Sequence, residues 1–125
     1  MNSIDVLVPQ KSVAIARSIV LENLPMIDKS NVLGLFGIGS FWLPYGGPKP
    51  KDIDLVVYAV NDSQFINEDK PKLAVPFKSI FGLNLETHIF TRYTPMVRYE
   101  LQYFKSLFKN DDYIPLYGQL PGWLR

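Results

Sequence analysis

Apolar positions recur along this chain with two different periods, and the changes of period divide it into segments. Between Gln10 and Leu24, Val13, Ala16, Val20 and Leu24 fall three or four residues apart, with Ile15 and Ile19 widening the stripe. That spacing predicts an amphipathic helix, which Pro25 ends. Val32 to Gly37 is a short apolar run, read as a buried strand, and it leads into Gly-Ile-Gly-Ser at Gly37 to Ser40. Phe41 to Leu43 can begin a short helix before Pro44, and Tyr45 to Lys51, with two glycines and two prolines, is a loop.

From Asp52 to Val60 the run DIDLVVYAV is rich in β-branched and aromatic residues and predicts a strand. Asn61 to Lys72 is polar and reads as an exposed connection. Leu73 to Phe81 predicts a short helix, broken near Pro76 and closed by Gly82. Leu83 to Thr91 (LNLETHIFT) alternates and predicts a second strong strand. Pro95 to Lys109 predicts an amphipathic helix with Met96, Tyr99, Tyr103 and Leu107 on one side, read as core or subunit interface. Ile114 to Tyr117 predicts a terminal strand. The order of elements predicts an α+β fold, a small mixed sheet with helices packed on one face.

Composition narrows the class. The 125 residues fit one domain, 1–125, with a single modest core. A net charge of +1 argues against a nucleic-acid binder driven by bulk electrostatics. The chain has no cysteine, which removes disulfides, zinc–thiolate sites and thiol catalysis. Met1 to Asn23 lacks a basic segment followed by an unbroken apolar run, so no signal peptide is expected. No stretch approaches the roughly 18 apolar residues of a membrane span. The expectation is a cytoplasmic protein without a membrane partner.

Asp52 and Asp54 carry the first chemical signal. Two residues apart in a strand, they project to one face, while Ile53, Leu55 and Val57 project to the other, into the core. Two carboxylates held this close repel unless a cation lies between them, and Mg²⁺ is held by one or two such groups plus substrate phosphates. The alternative is a polar strand start whose acids face solvent. Glu86 lies mid-strand, opposite in sense to Leu85 and Ile89. If its strand neighbours that of Asp54, the three acids can hold two metal ions about 3.5–4 Å apart; otherwise Glu86 is a half-exposed strand residue. Gly39 and Ser40 follow an apolar strand. A glycine there lets a phosphate approach the backbone, and free N–H groups with the Ser40 hydroxyl can donate to it. Taken alone, the pair is equally a turn with an N-cap serine.

Together these residues resemble the Gly-Ser…Asp-x-Asp signature of the DNA polymerase β-like nucleotidyltransferase superfamily: Gly39-Ser40, eleven intervening residues, then Asp52-Ile53-Asp54-Leu55, with a third acid, Glu86, on a later strand. Ile114-Pro115-Leu116-Tyr117-Gly118 after a long helix is similar to the tail of minimal nucleotidyltransferases found beside HEPN-domain partners. The resemblance implies a nucleotidyltransferase fold and metal-dependent transfer of a nucleoside monophosphate from a nucleoside triphosphate, ATP or a relative, to an acceptor hydroxyl on protein, nucleic acid or a small molecule. It implies Mg²⁺ or Mn²⁺ on Asp52, Asp54 and Glu86, and the triphosphate on Gly39 and Ser40. Glu86 would also help deprotonate the acceptor. A HEPN-type partner or a second copy would complete the acceptor site.

Family members place arginines after Gly-Ser, whereas this chain has Phe41 and Trp42. Lys49 and Lys51 are candidate substitutes as point charges, or residues that solvate the loop. The difference opens an alternative: a catalytically degenerate fold kept as a partner- or nucleic-acid-binding module. His88, the one histidine, shares a strand face with Glu86, as a metal ligand or proton shuttle or as a hydrogen-bonded strand residue. Trp42 and Tyr45 are candidates for stacking on a nucleobase, or for core or rim packing. Arg92 and Arg98 are candidate phosphate contacts, or solvated surface.

Overall fold

The computed structural model describes residues 3–43, 49–92 and 98–124, with side chains from residue 12 onward. Tyr45, the Gly46-Gly47-Pro48 loop, Pro95 and Met96 lie outside the described residues. The elements run α1 (Ser3–Asn23), a 3₁₀ turn (Leu24–Met26), β1 (Val32–Ile38) and β2 (Asp52–Ala59). A helical run follows, of α2 (Asp62–Gln64), a π-helical stretch (Phe65–Asp69) and α3 (Lys70–Phe81). β3 (Asn84–Phe90), α4 (Arg98–Lys109), β4 (Ile114–Gly118) and a 3₁₀ turn (Gly122–Leu124) complete the chain.

The sheet is ordered β3-β2-β1-β4. β1 is antiparallel to β2 and to β4, while β2 and β3 run parallel, so the sheet is mixed as expected. A parallel pair needs a crossover of a dozen residues or more, and the helical run from Asp62 to Phe81 supplies it.

That run corrects the reading of Asn61–Lys72 as an exposed connection. Asn61 caps it, its side chain accepting from the Gln64 amide at 3.0 Å. Phe65 and Asp69 are fully buried. The buried Asp69 carboxylate accepts from the Asp28 amide at 3.1 Å and pairs with Lys72 at 3.7 Å. The segment looks polar because its inward residues are spaced at helical intervals among solvated ones. Nor does Pro76 break α3, which runs through it to Gly82 in the left-handed region (φ 70°), where the Gly82 amide bonds Lys78 O.

Helices cover both faces of the sheet, not one. α1 and α3 pack Ala16, Ile19, Val20, Leu73 and Phe77 against Leu35, Ile53, Leu55 and Val57. Phe104 and Phe108 of α4, with Leu120 and Leu124, pack against Phe36, Val56, Tyr58 and Phe90 on the opposite face. The physical reason lies in β2. Its acid-bearing face turns apolar after Asp54, at Val56 and Tyr58, and that surface must be covered. Tyr58 stacks on Phe90 with ring centroids 4.8 Å apart. Two stripe assignments change accordingly. Ile15 is 45% exposed, and on α4 the buried side is Phe104 and Phe108, with Tyr99 and Tyr103 outside.

Candidate metal centre

On the α4 face, β2 presents Asp52, Asp54, Val56 and Tyr58 in turn, and β3 presents Asn84, Glu86, His88 and Phe90. Parallel pairing sets Asp54 beside Glu86 and Val56 beside His88. The face is thus polar at one end and aromatic at the other. α4 covers the aromatic end, and at the boundary its Phe104 ring lies 5.4 Å from that of His88.

At this boundary Asp54, Glu86 and His88 each offer a ligand atom, and the three atoms lie within 4.8 Å of one another. His88 Nε2 is 3.4 Å from Asp54 Oδ1. Asp54 and His88 are half-buried and Glu86 is exposed. The expected set differs by one member. Among the described residues Asp52 belongs to no such group, and its register partner across the parallel pair is Asn84, which brings no charge. His88 takes the third place because β3 carries its polar residues at Glu86 and His88, so the cluster grows along β3 rather than back along β2.

The glycine turn arrives from the other side. Ile38, the last residue of β1, pairs with Asp54, so the chain leaves the sheet beside that carboxylate. Gly39 adopts φ +83°, and a Cβ there would stand 3.0 Å from Asp54 Oδ2. Only glycine combines that backbone with that approach. Leu43 N then bonds Gly39 O at 3.0 Å, closing a single helical turn. Gly39 and Ser40, both exposed, line a pocket of about 240 Å³ with Leu43, Tyr103, Leu107 and Asp112. The turn therefore borders both this pocket and the Asp54 carboxylate.

Trp42 is core and not a stacking platform. It is 1% exposed, its Nε1–H donates to Asp54 O at 2.9 Å, and its indole lies over Gly37, where a Cβ would meet it at 2.5 Å. Phe41 is buried as well. The two residues standing where arginines were expected therefore anchor the turn from within. Lys49 and Lys51 lie exposed before β2 and line no part of the pocket. Arg92 and Arg98 are exposed.

His88 holds its proton above the ordinary value of 6.5. The main cause is the Asp54 carboxylate accepting from its ring; burial opposes the shift, and the charges of Asp54, Glu86 and Glu100 add to it. Glu100, on α4, is a contributor that no local pattern of the chain places here. With the folded value above the unfolded one, the stabilisation is complete below about 6.5 and is lost as pH rises through the folded value. In the metal-free protein, NMR titration of the His88 imidazole is expected to give a midpoint above 6.5 that falls in Asp54→Asn. An unchanged midpoint in that variant would remove Asp54 as the cause.

No protein-family model matches the chain, and no curated protein matches it in sequence. Among the described residues no helix is long and apolar enough to cross a membrane. What the fold and site define is a class: an α+β domain with a mixed carboxylate–imidazole cluster set against a glycine turn.

Proposed function

We propose that this protein is a metal-dependent nucleotidyltransferase, moving a nucleoside monophosphate from a nucleoside triphosphate to an acceptor hydroxyl. The observation that carries the proposal is the seating of the Gly39 turn on the Asp54 carboxylate, with Glu86 and His88 beside it. Two carboxylates and one imidazole fit a divalent ion such as Mg²⁺ or Mn²⁺ and leave positions for water and phosphate oxygens. Such an ion, when bound, neutralises charge on the phosphate under attack.

The chain's own residues supply positioning. The Ser40 hydroxyl and the free N–H groups of the turn donate to phosphate oxygens, and Gly39 keeps the approach clear. The pocket beyond the turn receives the nucleoside, with the exposed Tyr103 ring offering a face to the base. The acceptor oxygen bonds to the α-phosphorus as the bond to the bridging oxygen breaks, and pyrophosphate leaves. Glu86 takes the hydroxyl proton in this reading, supported by its being the most exposed of the three. Nucleoside triphosphate as substrate goes with a cytoplasmic location. A HEPN-type partner or a second copy of the chain would complete the open side of the site as acceptor or acceptor platform.

The test is incubation with each α-labelled nucleoside triphosphate and Mg²⁺ or Mn²⁺, in the presence of cellular protein and RNA. Label is expected in one acceptor fraction or in the protein itself. No transfer with any nucleotide, ion and acceptor would defeat the proposal. That outcome, with nucleic acid or a protein still bound, would favour the second reading: a degenerate module. The buried Phe41 and Trp42 at the arginine positions, and Asp52 outside the cluster, are the observations on its side.

A further inference from the structure

One of the three ligand atoms is nitrogen, and its placement bears on which ion the site takes. The separation of His88 Nε2 and Asp54 Oδ1, 3.4 Å, is at the long end of the hydrogen-bonding range. It is near the ~3.0 Å that separates two adjacent ligands on a six-coordinate ion with bonds of ~2.1 Å. Phe104, itself 2% exposed, packs beside the imidazole with ring centroids 5.4 Å apart. The ring thus has an aromatic neighbour on α4 and two carboxylates within ligand reach.

We infer that the site selects a first-row transition ion, Mn²⁺, Co²⁺ or Zn²⁺, over Mg²⁺, with His88 as the ligand that makes the choice. The inference rests on the proposed reaction for the ion's use in transfer, but not for its binding. Mg²⁺ dehydrates reluctantly and takes oxygen ligands, so an imidazole adds little to its affinity. Imidazole is a good donor to the later divalent ions, whose affinities rise along the series from Mn²⁺. With no cysteine and one histidine in the chain, the set is two oxygens and one nitrogen, and no thiolate competes for the ion.

The single histidine makes the test clean, because its imidazole C–H signals in NMR have no counterparts. With the full chain and metal chlorides alone, substoichiometric Mn²⁺ is expected to broaden these signals and Zn²⁺ to shift them. Excess Mg²⁺ is expected to do neither. By calorimetry, Co²⁺ is expected to bind roughly tenfold or more tightly than Mg²⁺, and His88→Asn to erase most of that ratio while keeping a cooperative melt. Should His88→Asn fail to fold, the wild-type NMR result decides alone. Imidazole signals indifferent to Mn²⁺ and Zn²⁺, or Mg²⁺ displacing Mn²⁺ at equal concentration, would overturn the inference. Selective binding without nucleotidyl transfer would sink the reaction and leave the selectivity standing. Transfer supported equally by Mg²⁺ and Mn²⁺, with silent His88 signals, would do the reverse.

Discussion

On the proposed reaction, Asp54→Asn is expected to lower nucleotidyl transfer by roughly 10²–10³-fold, the scale of losing one preorganised electrostatic group at a reacting centre. Asp54 is the residue on which the whole site turns. It pairs in register with Ile38 on one side and Glu86 on the other, it faces His88, and its carboxylate meets the Gly39 turn. Asparagine keeps the shape and removes the charge, so the melt should move little at this half-buried position. Asp52→Asn is the control that separates the two acids. Because Asp52 stands outside the cluster, its loss should cost distinctly less. Steady-state transfer with both variants checks the ordering. Equal losses would mean that Asp52 joins the site when substrate binds, and a larger loss at Asp52 would unseat Asp54 as its centre.

The largest effect on stability is expected at Trp42. Its indole is almost wholly buried, makes edge contacts with Phe41 and Phe77 at 5.3 and 6.3 Å, and covers Gly37. Trp42→Ala empties that volume and should cost about 3–5 kcal/mol, a large share of the ~5–15 kcal/mol of a typical domain. A melting temperature lower by roughly 10–20 °C would report it. Trp42→Phe keeps much of the apolar volume but removes the Nε1–H that Asp54 O accepts, a loss of about 1 kcal/mol or somewhat more. Thermal melts of both variants check the order. If phenylalanine costs as much as alanine, the hydrogen bond and not the packing anchors the turn. Either change should also loosen the Gly39 turn against Asp54, so on the proposed reaction triphosphate binding should weaken beyond what the fraction unfolded explains.

Much of the fold was legible because its signals are local. The strands at Val32–Gly37 and Asp52–Val60, the alternation of LNLETHIFT and the helix before Pro25 each follow from the spacing of apolar residues within one segment. The shared face of Asp54 and Glu86 was legible for the same reason: an acid alternating with core residues in a strand has only one face left to occupy. The polar stretch Asn61–Lys72 misled because two inward residues, Phe65 and Asp69, are too few to mark a period until a capping Asn61 and the π-helical turn set their direction. The stripe on α4 misled in a similar way. Tyrosine and phenylalanine alternate around that helix, and only the aromatic end of the sheet decides which of them is covered.

By itself, the sequence determined the four strands, the helices α1, α3 and α4, the α+β class and the two faces of the acid-bearing strands, since these depend on backbone periods of two and 3.6 residues. Which strands are neighbours was decided in three dimensions: the parallel pairing of β2 with β3 sets Glu86 and His88 beside Asp54, and leaves Asp52 opposite Asn84. Tertiary packing also sent Trp42 inward and brought α4 across the second face. Both outcomes depend on contacts between residues far apart in the chain, where register and volume, and not local spacing, select the partner.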